Sequence, residues 1–298
     1  MFTGCGTALV TPFRRDLSLD EEALRRLVRR QVEAGIDFLV PCGTTGESPT
    51  LTGTEQKRVV EITLEEARGK VPVLAGAGGN NTAHVIEMAR AFEAMGARGI
   101  LSVSPYYNKP TQEGLYQHFK AIAEAVRVPV ILYNIPGRTG VNIEPATIAR
   151  LAEIGNIAGV KEASGNIAQM AVILSSVPDS FSVLSGDDGI TLALLALGGR
   201  GLISVVSNVI PAEMMRMVRL ALAGDFAAAR EVHRRYFRVM EANFVETNPG
   251  PVKAAMALMG LLEPVFRLPL VAPKPENLAK IRAALEAAGL IQGAYAAR

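Results

Sequence analysis

The runs PVILYN (129–134) and IAGVKEA (157–163) decide the fold of this chain. Each is short, rich in β-branched residues and apolar on both alternating faces, as parallel strands covered on both sides require. Between them, 145–153 has helical spacing. Strand, helix and strand of these lengths make a βαβ unit. The same period continues in both directions. Apolar runs at 4–11, 37–42, 71–78, 99–105, 181–186 and 200–206 alternate with helical stretches near 18–34, 54–67, 82–95, 112–126, 167–176, 188–197 and 211–223. In the first helix, Leu24, Leu27, Val28 and Gln31 recur on one face. Eight units in about 225 residues suit a closed barrel better than an open doubly wound sheet. The expectation is an α/β fold, a (β/α)8 TIM barrel over 1–224. Residues 225–298 contain no strand-like run. They predict helices near 226–242, 251–259 and 275–288, a C-terminal helical extension of the barrel.

Composition narrows the function. Of 298 residues, 49% are hydrophobic and 20% charged, enough apolar material for one large core. The net charge is +2, and Lys and Arg are interspersed with Asp and Glu. That argues against a nucleic-acid partner, which needs a concentrated basic face. No apolar run reaches the ~18 residues of a membrane span. The start, MFTGCGTALVTPF, lacks the pattern of a secretory signal. Cys5 and Cys42 lie in strand-like runs and read as buried free thiols, in keeping with a cytoplasmic protein.

In such a barrel the active site lies where the strands end at their C-termini. The ends carry GTTGES (43–48), SPYYNKP (104–110), YNIPGRTG (133–140), KEASGN (161–166), SGDD (185–188) and ISVVSN (203–208). Hydroxyls, an amine and a guanidinium converge there. Lys161 is the one lysine inside a predicted strand. It either points into the barrel or pairs with a carboxylate, Glu162 or Asp187. Burial favours the neutral form of an amine, and a neutral amine is a nucleophile for a ketone. Arg138, in a turn made tight by two glycines and a proline, has the planar fork that grips a carboxylate. Amine and guanidinium together suit a 2-keto acid. Tyr133, next to Lys161 across the strands, could relay protons, with Thr44, Thr45 and Tyr107 extending the relay.

Other signals are weaker. GAGGN (76–80) has Asn81 where a dinucleotide loop needs its third glycine. His84, His118 and His233 have no ligand spacing, so neither metal nor cofactor is expected. Asp187 and Asp188 read as a helix N-cap after the seventh strand.

Taken in order, FTGCGTALVTPF (2–13), GTTGES, SPYYNKPTQEGLYQHF (104–119), LYNIPGRTG (132–140), GVKEASGN (159–166), LSGDD (184–188) and NPGPVKAAM (248–256) resemble the pyruvate-dependent class I aldolase superfamily that includes N-acetylneuraminate lyase. The resemblance covers the whole chain. It implies that Lys161 forms a Schiff base with pyruvate and that Tyr133 is the central proton donor and acceptor. Thr44 would link Tyr133 to Tyr107, which would cross a subunit interface. Thr45 and the backbone of Ile203 would hold pyruvate, and Gly186 would line the pocket. Arg138 would receive the carboxylate of a second substrate, L-aspartate 4-semialdehyde. The assembly implied is a homotetramer, a dimer of tight dimers. Ser48, Asn80 and Tyr106 match a lysine-inhibition site of some members, but His84 stands where the sensitive ones have an acidic residue, and Gly53 and Gln56 replace histidines of the enterobacterial pattern. Feedback inhibition is therefore expected to be weak or absent. The competing readings are a sibling aldolase acting on a sugar acid or N-acetylneuraminate, a barrel kept only for binding, and a phosphate-binding isomerase. The last lacks a Gly-rich cradle after the final strands.

Overall fold

The computed structural model describes residues 2–292. Its strands are β1 (Gly4–Ala8), β2 (Phe38–Val40), β3 (Leu74–Gly76), β4 (Gly99–Val103), β5 (Val130–Asn134), β6 (Ile157–Glu162), β7 (Ser182–Ser185) and β8 (Gly201–Ser204). The helices between them are α1 (Glu21–Glu33), α2 (Gly53–Ala67), α3 (Thr82–Ala94), α4 (Gln112–Ala125), α5 (Pro136–Thr139), α6 (Pro145–Ala152), α7 (Ile167–Ser176) and α8 (Thr191–Ala196). After β8 come α9 (Pro211–Leu222), α10 (Phe226–Ala242), α11 (Gly250–Leu258) and α12 (Pro275–Ala287).

All strand pairs are parallel, in the order β2-β1-β8-β7-β6-β5-β4-β3. A bridge between Leu39 and Val73 joins β2 to β3 and closes the ring. The chain is thus the expected TIM barrel with a C-terminal helical part. Alternation along the strands sorts side chains into two cores. Phe38, Val40, Leu74, Leu101, Ile131, Tyr133, Leu184 and Ile203 fill the barrel interior. Leu39, Val73, Ile100, Val130, Leu132, Val160, Val183 and Leu202 face outward into the layer of helices. Helix α1 buries Leu24, Leu27, Val28 and Gln31. The amide of Gln31 accepts from Thr7 Oγ1 (2.7 Å) and donates to Ser207 O (2.9 Å), which accounts for a polar residue on a buried face. No helix among the described residues is long and apolar enough to cross a membrane.

The C-terminal helices begin without a linker. Asp225 caps α10 by accepting from Ala228 N at 2.9 Å. Helix α10 packs on α8 and α9, and α12 packs on α10 and α11. Val232, Val239, Met240, Val252, Met256, Ile281 and Leu285 join the same apolar core as the barrel helices.

Two local readings differ from the structure. The turn after β5 is a helical turn, Pro136–Thr139, with proline at its start and Gly140 at φ 70° as its cap. It carries Arg138. Asp188 is not a helix cap, because α8 begins after Ile190, which has no side-chain cap. The Asp188 carboxylate instead accepts from Ser204 Oγ and from the backbone N–H groups of Val205 (3.1 Å) and Val206 (3.3 Å). It ties the end of β7 to the turn after β8. Burial pushes its pKa up to about 6 against those hydrogen bonds.

His118, 5% exposed, sits 2.8 Å from Thr82 Oγ1 and edge-on to Phe119. Burial pushes its pKa down from 6.5 to about 4. A lowered folded-state value means that stability is complete above pH 6.5 and is lost as pH falls through 4, amounting to about 3 kcal/mol. His118→Gln, which keeps a partner for Thr82, is expected to flatten this acid limb in urea titrations at neutral and acid pH. An unchanged slope would show that other groups drive it.

Candidate active site

Lys161 and Tyr133 are register partners on β6 and β5. On its other side Lys161 pairs with Leu184 of β7. Tyr133 and Leu184 both face the interior, so Lys161 does too. It is 5% exposed, and its Nζ lies 4.2 Å from the centroid of the Tyr133 ring, a cation–π distance. Among the described residues the lysines held in ion pairs are Lys120 and Lys253, not Lys161. Of the two readings the sequence leaves open, the structure shows the unpaired, inward amine.

A cavity of about 230 Å³ opens on the β2–β5 side of the barrel mouth. Thr44, Tyr133 and Arg138 line it, together with Ser48 and Tyr106. Lys161 itself, Thr45, Gly186 and Ile203 do not line this cavity. Thr45 and Ile203 are buried at 2% and 0% exposure. Gly186 follows β7 and donates its N–H to Glu162 O at 2.8 Å. A Cβ at Gly186 would lie 2.6 Å from Ala163 Cβ and 3.1 Å from Lys161 Cε. Glycine therefore leaves the lysine stem its path. Gly186→Ala is expected to slow the imine formation that the resemblance implies at Lys161 by about 100-fold, because a displacement of ~1 Å at a reacting group costs that much. Stopped-flow or borohydride-quench rates with pyruvate would check it, and a wild-type rate would show that the stem has room to spare.

Tyr107 stands apart. It is 89% exposed, has φ 71° and does not line the cavity of its own chain. Asn80 and His84 are also exposed and outside the cavity, and His84 Nδ1 lies 3.7 Å from Glu87. The Gln56 amide is engaged by the carbonyls of Ser48 (3.0 Å) and Leu51 (3.5 Å).

Sequence reasoning gives no role to three residues that hold the mouth together. Asn248 Nδ2 donates to Thr45 Oγ1 at 2.9 Å, while its carbonyl accepts from Arg138 Nη2 at 2.9 Å. One residue of the C-terminal part thus touches loops after β2 and β5. Lys253, on α11, is wholly buried and paired with Glu47 of the GTTGES loop. Glu47 sits at φ 55° and closes that loop by donating its N–H to Thr44 O at 3.0 Å. All three lie inside quoted motifs, GTTGES and NPGPVKAAM, yet no local pattern says that these motifs meet.

The arrangement can hold a small keto acid at a buried amine, with a phenol beside it and a guanidinium across an open cavity. Comparison with known proteins agrees. A family model described as the dihydrodipicolinate synthetase family matches residues 1–288. The chain is 55% identical over 99% of its length to the 4-hydroxy-tetrahydrodipicolinate synthase of Koribacter versatilis, covering 99% of that protein. It is 54% identical to the enzyme of that name from Chloroherpeton thalassium, over 99% of this chain and 98% of the relative. The crystal structure of dihydrodipicolinate synthase from Aquifex aeolicus superposes with a TM-score of 0.96 at 46% identity, covering 98% of this chain and 100% of that one. With the barrel, the Lys161–Tyr133 pair and matches along its whole length, the chain belongs to the dihydrodipicolinate synthetase family.

Proposed function

We propose that this chain is a 4-hydroxy-tetrahydrodipicolinate synthase, a lyase that condenses pyruvate with L-aspartate 4-semialdehyde in the diaminopimelate route to lysine. The observation that carries the reading is the inward, unpaired Lys161 amine against the Tyr133 ring, beside a cavity that also holds Arg138. Lys161 Nζ attacks C2 of pyruvate, and loss of one water gives the imine. Removal of a C3 proton gives the enamine, with Tyr133 as proton carrier and Thr44 in relay. The enamine carbon bonds to the aldehyde carbon of the second substrate. The amine of that substrate then attacks the imine carbon, closing the ring and releasing Lys161. One water leaves overall, and the protonated imine is itself the electron sink, so the scheme calls for no metal or cofactor.

Thr45 and the Ile203 backbone hold pyruvate, Gly186 borders it, and Arg138 takes the carboxylate of the semialdehyde. The barrel, 1–224, carries the chemistry, and the extension, 225–298, braces its mouth through Asn248. The exposure of Tyr107 supports a site completed by a second copy of the chain, in a homotetramer built as a dimer of dimers. Buried free thiols at Cys5 and Cys42 suit the cytoplasm.

The test is pyruvate consumption by the purified protein with L-aspartate 4-semialdehyde and, in parallel, with sugar-derived aldehydes. Turnover with the semialdehyde alone supports the synthase. Preference for a sugar aldehyde would keep the barrel and remove the role given to Arg138. In the same assay, millimolar lysine is expected to inhibit weakly or not at all, because exposed His84 offers no carboxylate for the ligand's ammonium. Strong inhibition at neutral pH would overturn that expectation.

A further inference from the structure

One residue beyond the Tyr133–Lys161 pair, β5 and β6 carry a second register pair, Asn134 and Glu162. Both side chains are at 0% exposure. Alternation turns them away from the barrel interior, so they touch neither the cavity nor Lys161. Glu162 is a buried carboxylate, and its oxygens accept from amides: Oε2 from Asn134 Nδ2 (2.8 Å) and Oε1 from Ser164 N (2.7 Å). A wholly buried carboxylate held by amides alone is costly.

The hydrogen bonds lead from Glu162 to the Arg138 turn. Asn134 Nδ2 also donates to Asn142 Oδ1 (2.9 Å), and Asn134 Oδ1 accepts from Ile143 N (2.9 Å). Asn142 exchanges amide hydrogen bonds with Gln169 at 2.9 and 3.1 Å. Residue 134 is therefore both the entrance to segment 135–141, which contains Arg138, and the clamp on its exit. The other end of the clamp is the carboxylate on the strand of Lys161.

We propose that Glu162 and Asn134 are positioning residues that set the distance between the Arg138 guanidinium and the Lys161 amine, and so determine how the carboxylate-bearing aldehyde is held. This rests on the reading of Arg138 given above. Pyruvate, which meets Lys161 and Thr45, does not depend on that distance.

Glu162→Gln puts an amide NH2 against a donor, either Asn134 Nδ2 or Ser164 N, and so breaks the clamp. The Asn134→Asp, Glu162→Gln double variant exchanges acceptor and donor. The amide now on β6 then donates to the carboxylate now on β5. That carboxylate still accepts from Ile143 N, and the Asn142 and Gln169 amides turn over together. In the single variant, KM for L-aspartate 4-semialdehyde is expected to rise about ten-fold. KM for pyruvate and the yield of borohydride-trapped pyruvate adduct should stay at wild-type values. The double variant should recover most of the lost KM. Parallel loss of pyruvate trapping would reduce Glu162 to general scaffolding. An unshifted KM for the semialdehyde, or a double variant no better than the single one, would also overturn the proposal. A wild-type protein that traps pyruvate but does not consume the semialdehyde would remove the proposed function itself, and this inference with it.

Discussion

Replacing Lys161 with alanine is expected to cut pyruvate-dependent turnover by at least about 10⁴-fold, since in the proposed scheme it deletes the group to which the substrate becomes bonded. No other buried lysine among the described residues is free of an ion pair. Lys253, the other deeply buried one, is held by Glu47 and lies over the rings of Phe13 (4.4 Å) and Phe266 (5.2 Å). The amine of Lys161 carries no ion pair, so its removal strands no carboxylate in the interior. The variant should therefore fold and melt close to wild type while forming no borohydride-reducible adduct with pyruvate. Mass spectrometry of the trapped protein and a thermal melt decide the matter. Retained trapping would place the imine elsewhere, and a collapsed melt would mean that the lysine is structural.

Lys253→Met is expected to do the reverse, with its main effect on stability. The pair it breaks is wholly buried on both sides. Burial pushes the Lys253 pKa down, and Glu47 only partly opposes this. Glu47 Oε2 already lacks a hydrogen-bond partner, so losing the ammonium leaves the carboxylate with little compensation. Removing one member of such a pair costs about 3–5 kcal/mol, a fall in melting temperature of about 5–8 °C for a chain of this size. Adding Glu47→Gln to Lys253→Met should recover most of the loss, because the residual charge is then gone. Urea midpoints at unchanged m-value would measure both steps. A single variant as stable as wild type would show that the pair contributes nothing net.

These two lysines mark how far the sequence can be read. The barrel is legible because its determinants are local and periodic. Apolar runs of strand length, each followed by a helical stretch, give eight parallel strands whatever their partners. Lys161 is legible for the same reason, since a lysine at the end of an apolar strand such as IAGVK belongs at the barrel mouth. Tyr133 and Arg138 follow from their place after the preceding strand. Asp188 misleads because a carboxylate after a strand looks like a cap, and its partners at 204–206 are distant in sequence. The segment around Arg138 reads as a loop, whereas Pro136 and Gly140 delimit a helical turn.

By itself the sequence determined the fold, the strand that carries the candidate nucleophile and the rim on which the candidate site sits, because periodicity and strand-end position are properties of neighbouring residues. Tertiary structure alone decided that Lys161 is unpaired while Lys253 is paired, and that Asn248 bridges Thr45 and Arg138. Those outcomes depend on contacts across as many as 206 residues of chain, where closure of the barrel and docking of α11 choose the partners.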